Sequence, residues 1–293
     1  MIIDSHTHIG LSYRDYPNKI FGVFSKFLLG KKKRVKFAAK FLSAIIPSGK
    51  DFLERYARLL EYSEKSTAER IEDALTYCDK LNALSINLQY MSAGDTQRTF
   101  EEQMDMLVLM REKYKDRINI FMMLEPQDQN IIKHVIKYER FCKGWKYYPP
   151  VSGTINNGII RHILEKHPKP IIIHTTDTSP IYNKFFKKEV AQDFAHPKYC
   201  IPLIEKFPNV PFIFAHLGGE NWQNEVITLC EKYPNVYTDI SFTFSKDHDT
   251  LSKIFYRIPE KVLWGTDNHM TDPEPFLKVP YFEAMQKNNS KLF

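Results

Sequence analysis

Eight short apolar runs, a helical stretch between each consecutive pair, and chemically strong residues directly after several of the runs together predict an α/β protein built as a (β/α)8 TIM barrel. Regular strand–helix alternation implies parallel strands joined by crossover helices, and eight units are enough to close a ring. An open doubly wound sheet is the rival. No glycine-rich phosphate turn follows any early strand, which disfavours a nucleotide-binding sheet. The chain 1–293 reads as one barrel domain, with a helical insertion at 11–75 between the first and second strands.

"MIIDSHTHIG" opens the chain with a strand whose apolar part is Ile2 and Ile3. The insertion follows as two helical pieces, "FGVFSKFLLGKKKRVKFAAKFLSAIIP" and one carrying Phe52, Tyr56, Leu59 and Leu60 at three-to-four spacing, punctuated by Pro47 and Gly49. Ser66 or Thr67 caps the next helix, with Glu69 in its first turn. "ALSINLQYM" (83–91) reads as the second strand, 98–114 as a helix and "INIFMMLEP" (118–126) as the third strand. A helix at 130–140, a short strand at "GWKYYPP" (144–150), a helix at 157–167 and a strand at "KPIIIHTTD" (169–177) continue the alternation. Then come a helix at 199–207, the strand "VPFIFAHLGG" (210–219), a helix at 222–233 and the strand "NVYTDIS" (235–241). A helix at 250–258, the strand "KVLWGTD" (261–267) and a helical "YFEAMQKNNSKLF" (281–293) complete the chain.

With 43% hydrophobic and 26% charged residues, the composition is that of a soluble globular protein. No run approaches the roughly 18 uncharged apolar residues of a membrane span, and no basic-then-apolar secretory signal opens the sequence. Cys78, Cys142, Cys200 and Cys230 are scattered without a Cys-x-x-Cys pair. Neither a disulfide framework nor a thiolate zinc site is expected, and a reducing cytoplasm suits the chain. The net charge of +6 is unevenly placed: 11–70 carries 14 Lys and Arg against 6 Asp and Glu, the remainder 27 against 29. The near-neutral body argues against a nucleic-acid-binding protein.

Residues two apart on a strand share a face, so His6 and His8 present two imidazoles from one strand end. Alone, the pair is either half a metal site or a solvated polar terminus. In a barrel all strand ends converge on one mouth, and the other ends decide. Strand 4 ends near Lys146, strand 5 at His174, strand 6 at His216 and strand 8 at Asp267. Singly, each is more often structural; His174, for one, taken alone reads more readily as a satisfied buried imidazole than as a ligand. Together they read as metal-compatible groups gathered at one mouth.

This ordered set resembles the amidohydrolase superfamily of metal-dependent hydrolases. "DSHTHIG", "GWKYYPP", "HPKYCIPLIEKFPNVPFIFAHLGG", "NVYTDIS", "VLWGTDNH" and the closing Asn-x-x-x-Leu-Phe of "KNNSKLF" are similar to the motifs of its amidohydrolase-related branch, which includes amino-carboxymuconate-semialdehyde decarboxylase. The likeness spans the chain outside 11–75. It implies that His6, His8, His174 and Asp267 hold one divalent metal with a position open for water, Zn(II) first and Mn(II) or Fe(II) as alternatives. It also implies that Asp267 takes the proton from the attacking water and passes it to the leaving group, while His216 orients the water or stabilises negative charge.

Lys146 is open to three readings. In several branches of the superfamily this lysine is carboxylated and bridges two metals; here it would otherwise pair with a substrate carboxylate, or snorkel at the rim. Glu125 either faces the mouth or belongs to a plain turn before Pro126. Asp239 either contacts substrate or supports neighbouring loops, and His269 stands close behind Asp267 as a substrate-side or supporting residue. His134, His162, His167 and His248 fall on helices or loops and read as surface residues.

The insertion lies on a loop at the active-site face and is far longer than the usual 2–6 residues. It is expected to act as a lid or to shape the pocket, with plain decoration or a membrane or nucleic-acid contact by the basic run 31–36 as alternatives. A cationic lid suits an anionic substrate. The short chain after Asp267 implies an abbreviated last helix or support from a partner chain, hence a homodimer. The leading function is a hydrolase that uses metal-activated water on a C–O or C–N bond (lactone, ester or amide) of a small carboxylated compound. A non-oxidative decarboxylase at the same metal site is the alternative. A nuclease and a catalytically dead binding protein are weaker rivals.

Overall fold

The computed structural model describes residues 1–9, 11, 15, 65–92, 95–176, 191–242, 248–268 and 271–293. Among these, eight strands form one sheet in sequential order, with each of the seven neighbouring pairs parallel. They are β1 (Ile3–Thr7), β2 (Lys80–Leu84), β3 (Ile118–Met123), β4 (Cys142–Tyr147), β5 (Ile171–Ile173), β6 (Phe212–Phe214), β7 (Val236–Asp239) and β8 (Val262–Leu263). The main helices are α1 (Thr67–Ala74), α2 (Phe100–Tyr114), α3 (Ile131–Tyr138), α4 (Gly158–Lys166), α5 (Ile201–Lys206), α6 (Gln223–Lys232), α7 (His248–Arg257) and α8 (Phe282–Leu292). The chain is therefore the TIM barrel expected from its alternation. No helix among the described residues is long and apolar enough to cross a membrane.

Local chemistry sets the helix starts. Ser66 caps α1 and Thr99 caps α2, each in a reciprocal capping box with a glutamate three residues on, Glu69 and Glu102. The second strand differs from expectation. It ends at Leu84, and Leu88–Met91 is a helical turn whose first amides are served by the Asn87 side chain, 3.0 Å from the Tyr90 amide. Leu88 and Met91, three apart, bury one face of that turn, so an apolar run that looks like strand is in part helix.

Apolar packing has two layers. Inside the barrel, Ile3, Leu84, Phe121, Ile172, Ile213, Ala215 and Leu263 meet Phe293, whose ring lies edge-on to Phe121 at 5.7 Å. A larger layer fills the space between strands and helices. Gly144 is dictated by this packing, because a Cβ there would stand 2.2 Å from the Phe121 ring.

Closure of the ring is shared. Towards the mouth, β1 meets the segment after β8 through Ser5 N to Trp264 O (3.2 Å), Asp267 N to His6 O (2.8 Å) and His8 N to Asn268 O (2.5 Å). Further down, side chains of α8 replace a strand partner. Gln286 Oε1 accepts from Ile3 N at 2.7 Å, and Asn289 Nδ2 donates to Ile3 O and Trp264 O at 2.7 and 2.8 Å. The last helix, expected to be abbreviated, runs for 11 residues and completes this seam from within the chain. The basic run 31–36 and the two helical pieces assigned to the insertion lie outside the described residues, so the lid expectation falls there.

Candidate metal centre

At the mouth the strands end early, and the backbone turns sharply where the polar residues begin. His216, Leu217, Phe242 and Asp267 all have left-handed φ angles (61°, 54°, 71° and 59°), a region that non-glycine residues enter at a cost. Such strain persists where the surrounding structure enforces it, and here four such residues cluster at one site.

His6 and His8 leave β1 with ring centroids 5.4 Å apart. Their Nε2 atoms converge on one oxygen, Asp267 Oδ1, at 3.5 and 3.4 Å. These three residues offer ligand atoms within 4.8 Å of one another, and so do His6, His216 and Asp239. The His216 ring lies 5.0 Å from His6 and 5.1 Å from His174, so the four strand-end imidazoles form one cluster. Tyr148 stacks on His174 at 4.3 Å and Phe242 lies 5.6 Å from His216. Lys146 is buried, and its Nζ finds no hydrogen-bond partner among the described residues.

The electrostatics favour neutral imidazoles. Burial lowers His6, with Lys146 adding to the effect and Asp239 opposing it. Burial likewise holds His174 well below its ordinary value, helped by His216 and Lys146, and lowers His216 to about 3. Lys146 is brought down to about 8 by burial, against the pull of Asp239 and Asp267. Burial would raise Asp239, but His6, His216 and the Ser241 hydroxyl together hold it below the usual carboxylate range.

The residues fit a divalent metal. Two buried ring nitrogens, His6 Nε2 and His174 Nε2, have no hydrogen-bond partner among the described residues, which is costly for a polar atom unless a ligand satisfies it. Neutral imidazole and carboxylate are also the donor types such an ion takes.

Asp239 spends its carboxylate within the cluster. Oδ2 accepts from His6 Nδ1 at 2.8 Å, and Oδ1 accepts from the amides of His216 and Ser241, both at 3.0 Å. Glu125 sits in a turn, accepting from Ser152 Oγ at 2.7 Å and from Gln127 N at 3.1 Å. His269 lies outside the described residues. His162 and His248 are exposed, whereas His134 departs from the surface reading, half-buried with its ring stacked on Phe100 at 5.4 Å. Sequence reasoning missed Ser241, Tyr148 and Phe242. The sequence signal for Ser241 was the Asp-x-Ser spacing after β7.

An amidohydrolase family model matches residues 3–284. Among solved structures, the fold is similar to 5-carboxyvanillate decarboxylase from Sphingomonas paucimobilis (TM-score 0.59, 14% identity, 100% of this chain and 98% of that one). It is also similar to dihydroxybenzoic acid decarboxylase from Polaromonas sp. JS666 with bound manganese and the inhibitor 2-nitroresorcinol (TM-score 0.60, 14% identity, 99% and 96%). A third is a probable 2-pyrone-4,6-dicarboxylic acid hydrolase from Acinetobacter baumannii with citric acid bound (TM-score 0.54, 12% identity, 99% and 98%). No curated protein matches the sequence. With its family match running from β1 into α8, and a metal-compatible cluster at the strand ends, the chain belongs to the amidohydrolase family.

Proposed function

We propose that this chain is a metal-dependent hydrolase acting on a C–O or C–N bond of a small carboxylated compound. The observation that carries the reading is the convergence of His6 and His8 on Asp267 beside the buried Lys146. His6, His8, His174 and Asp267 would hold a divalent ion, zinc first, with manganese or iron as alternatives. When bound, the ion supplies Lewis acidity for a substrate carbonyl and for a water.

The protein's own groups account for the rest. Asp267 takes up the proton of the attacking water and delivers it to the leaving oxygen or nitrogen. His216, neutral because it is buried beside His6, orients that water by accepting its hydrogen bond at Nε2. Lys146 is largely an ammonium at neutral pH and pairs with a substrate carboxylate. Charge balance supports this choice. With Lys146 protonated, Asp239 and Asp267 leave the cluster negative by one, a divalent ion makes it positive by one, and a monocarboxylate neutralises it. The four free, buried cysteines fit a reducing cytoplasm.

Non-oxidative decarboxylation is the second reading, favoured by the decarboxylases among the similar structures. The product tells them apart. Zinc- and manganese-loaded protein is screened against carboxylated lactones, esters, amides and hydroxybenzoates, following acid release and CO2 together. Acid without CO2 supports hydrolysis; CO2 replaces it with the second reading. Elemental analysis accompanies the screen, with about one metal expected per chain and loss of it in His6→Ala and Asp267→Ala.

A further inference from the structure

Ser241 lies at the junction of the two histidine roles. Its Oγ contacts Asp239 Oδ1 closely, His216 Nδ1 at 2.9 Å and His6 Nδ1 at 3.2 Å. Its amide donates to Asp239 Oδ1 at 3.0 Å, and its carbonyl oxygen lies 3.2 Å from His216 Nδ1.

The protons can be assigned by asking which atoms can only donate or only accept. Backbone amides only donate, so Asp239 Oδ1, facing the amides of His216 and Ser241, is an acceptor. The Ser241 hydroxyl therefore gives its single proton to Asp239 and offers lone pairs to the rings. The Ser241 carbonyl can only accept, so His216 carries its proton on Nδ1. His6 faces the other carboxylate oxygen at 2.8 Å and carries its proton on Nδ1 as well. In both rings Nε2 is left as the lone-pair nitrogen. For His6 that is the atom aimed at Asp267 Oδ1, without a hydrogen-bond partner of its own among the described residues.

We propose that Ser241 is a positioning residue that, together with Asp239, locks His6 and His216 into the same Nδ1-protonated tautomer. One carboxylate thereby sets both the metal-facing nitrogen of His6 and the proton-handling nitrogen of His216. Carboxylate partners of ligating histidines generally act in this way on one ring. Here a serine relays the same carboxylate to a second ring, and the left-handed turn at Phe242 immediately follows that serine.

The inference rests on the metal-centre reading for the role of Nε2, but the tautomers are measurable without metal or turnover. Long-range proton–nitrogen correlation spectra are recorded on full-length protein labelled with heavy nitrogen in its histidine rings, metal-free and zinc-loaded. His6→Gln and His216→Gln assign the signals. In the wild type both rings show the Nδ1–H pattern; an Nε2–H pattern in either overturns the proposal. Ser241→Ala removes the nearer acceptor of His216 Nδ1, the hydroxyl at 2.9 Å, and keeps the carbonyl at 3.2 Å, so the Nε2–H population of His216 rises above its wild-type level while His6 and zinc affinity are unchanged; Ser241→Thr restores the wild-type pattern. Asp239→Asn presents an amide N–H to His6 Nδ1, moves its proton to Nε2 and weakens zinc binding about 10–100-fold. An unchanged His216 spectrum in Ser241→Ala refutes the serine's part, and an unchanged His6 spectrum in Asp239→Asn refutes the carboxylate's. The wild-type spectrum decides the matter even where a variant fails to fold.

Discussion

Asn289 offers a sharp test of how the barrel is closed. Its fully buried side chain makes three hydrogen bonds to backbone across the seam: to Ile3 O at 2.7 Å, to Trp264 O at 2.8 Å, and from Trp264 N at 3.2 Å. Asn289→Ala strands two buried backbone groups, Ile3 O and Trp264 N, while Trp264 O keeps the Ser5 amide and hydroxyl as donors. Each group left without a partner costs about 1–3 kcal/mol, so an overall loss of about 2–5 kcal/mol is expected, with some relaxation of the helix allowed for. For a chain of 293 residues this corresponds to a fall in Tm of about 3–8 °C. The assay is urea unfolding, with the midpoint read at unchanged slope. Ser290→Ala is the control, since among the described residues that hydroxyl bonds within its own helix, to Gln286 O at 3.0 Å. A loss in Asn289→Ala no larger than in the control would falsify the seam argument. Asn289→Asp adds a sign. A carboxylate facing two carbonyl oxygens has a folded-state pKa raised above the unfolded value of about 3.9, so the native state binds the extra proton. Relative to wild type, that variant is most stable below about pH 4 and loses stability as pH rises through its folded pKa.

Three further outcomes are expected. Lys146→Met leaves the metal content unchanged but weakens binding of a carboxylate inhibitor about 10–150-fold, the worth of one charge-assisted hydrogen bond; calorimetry on zinc-loaded protein checks it. Burial lowers Lys146 to about 8 and a bound dication lowers it further, so in the zinc-loaded wild type the same binding is strong on the acid side and fades as the ammonium is lost at or below that pH. A flat profile through that range removes Lys146 from the role. None of the four cysteines reacts rapidly with a thiol reagent in the native protein, because all are buried; burial pushes Cys142 up to about 12 and raises Cys78, Cys200 and Cys230 too. All four react after unfolding in guanidinium. Gly144→Ala drives a methyl into the Phe121 ring and destabilises by about 1–3 kcal/mol in the same urea assay.

The sequence exposed those parts of the site that follow from strand geometry. His174, His216 and Asp267 come at the ends of apolar runs, and a barrel brings such ends together wherever they lie in the chain. Tyr148 was not legible, and for Ser241 the Asp-x-Ser spacing was visible but not its role, since the serine matters only because two rings, from β1 and from the turn after β6, flank it. The second strand was misplaced for a different reason. Alternation and helical spacing coincide over a run as short as 83–91, and the Asn87 cap decides between them. Gln286 and Asn289 carry no periodic signal at all, although they join β1 to β8.

That join has a consequence for how the protein comes off the ribosome. Asp4 on β1 is tied to Thr266, beyond β8, across 262 positions of sequence. At about 5–20 residues per second, synthesis keeps the first strand waiting roughly 15–50 s for its final neighbour. During that interval the unpaired backbone edge of β1 stands open to other nascent chains, the circumstance in which edge-to-edge association begins. His6 and His8 wait with it, and Asp267 emerges only 259 positions after His8. On the proposed ligand set, metal supplied during translation would find an incomplete site until Asp267 emerges, and ring closure, binding and escape from aggregation would all become late events of the same step.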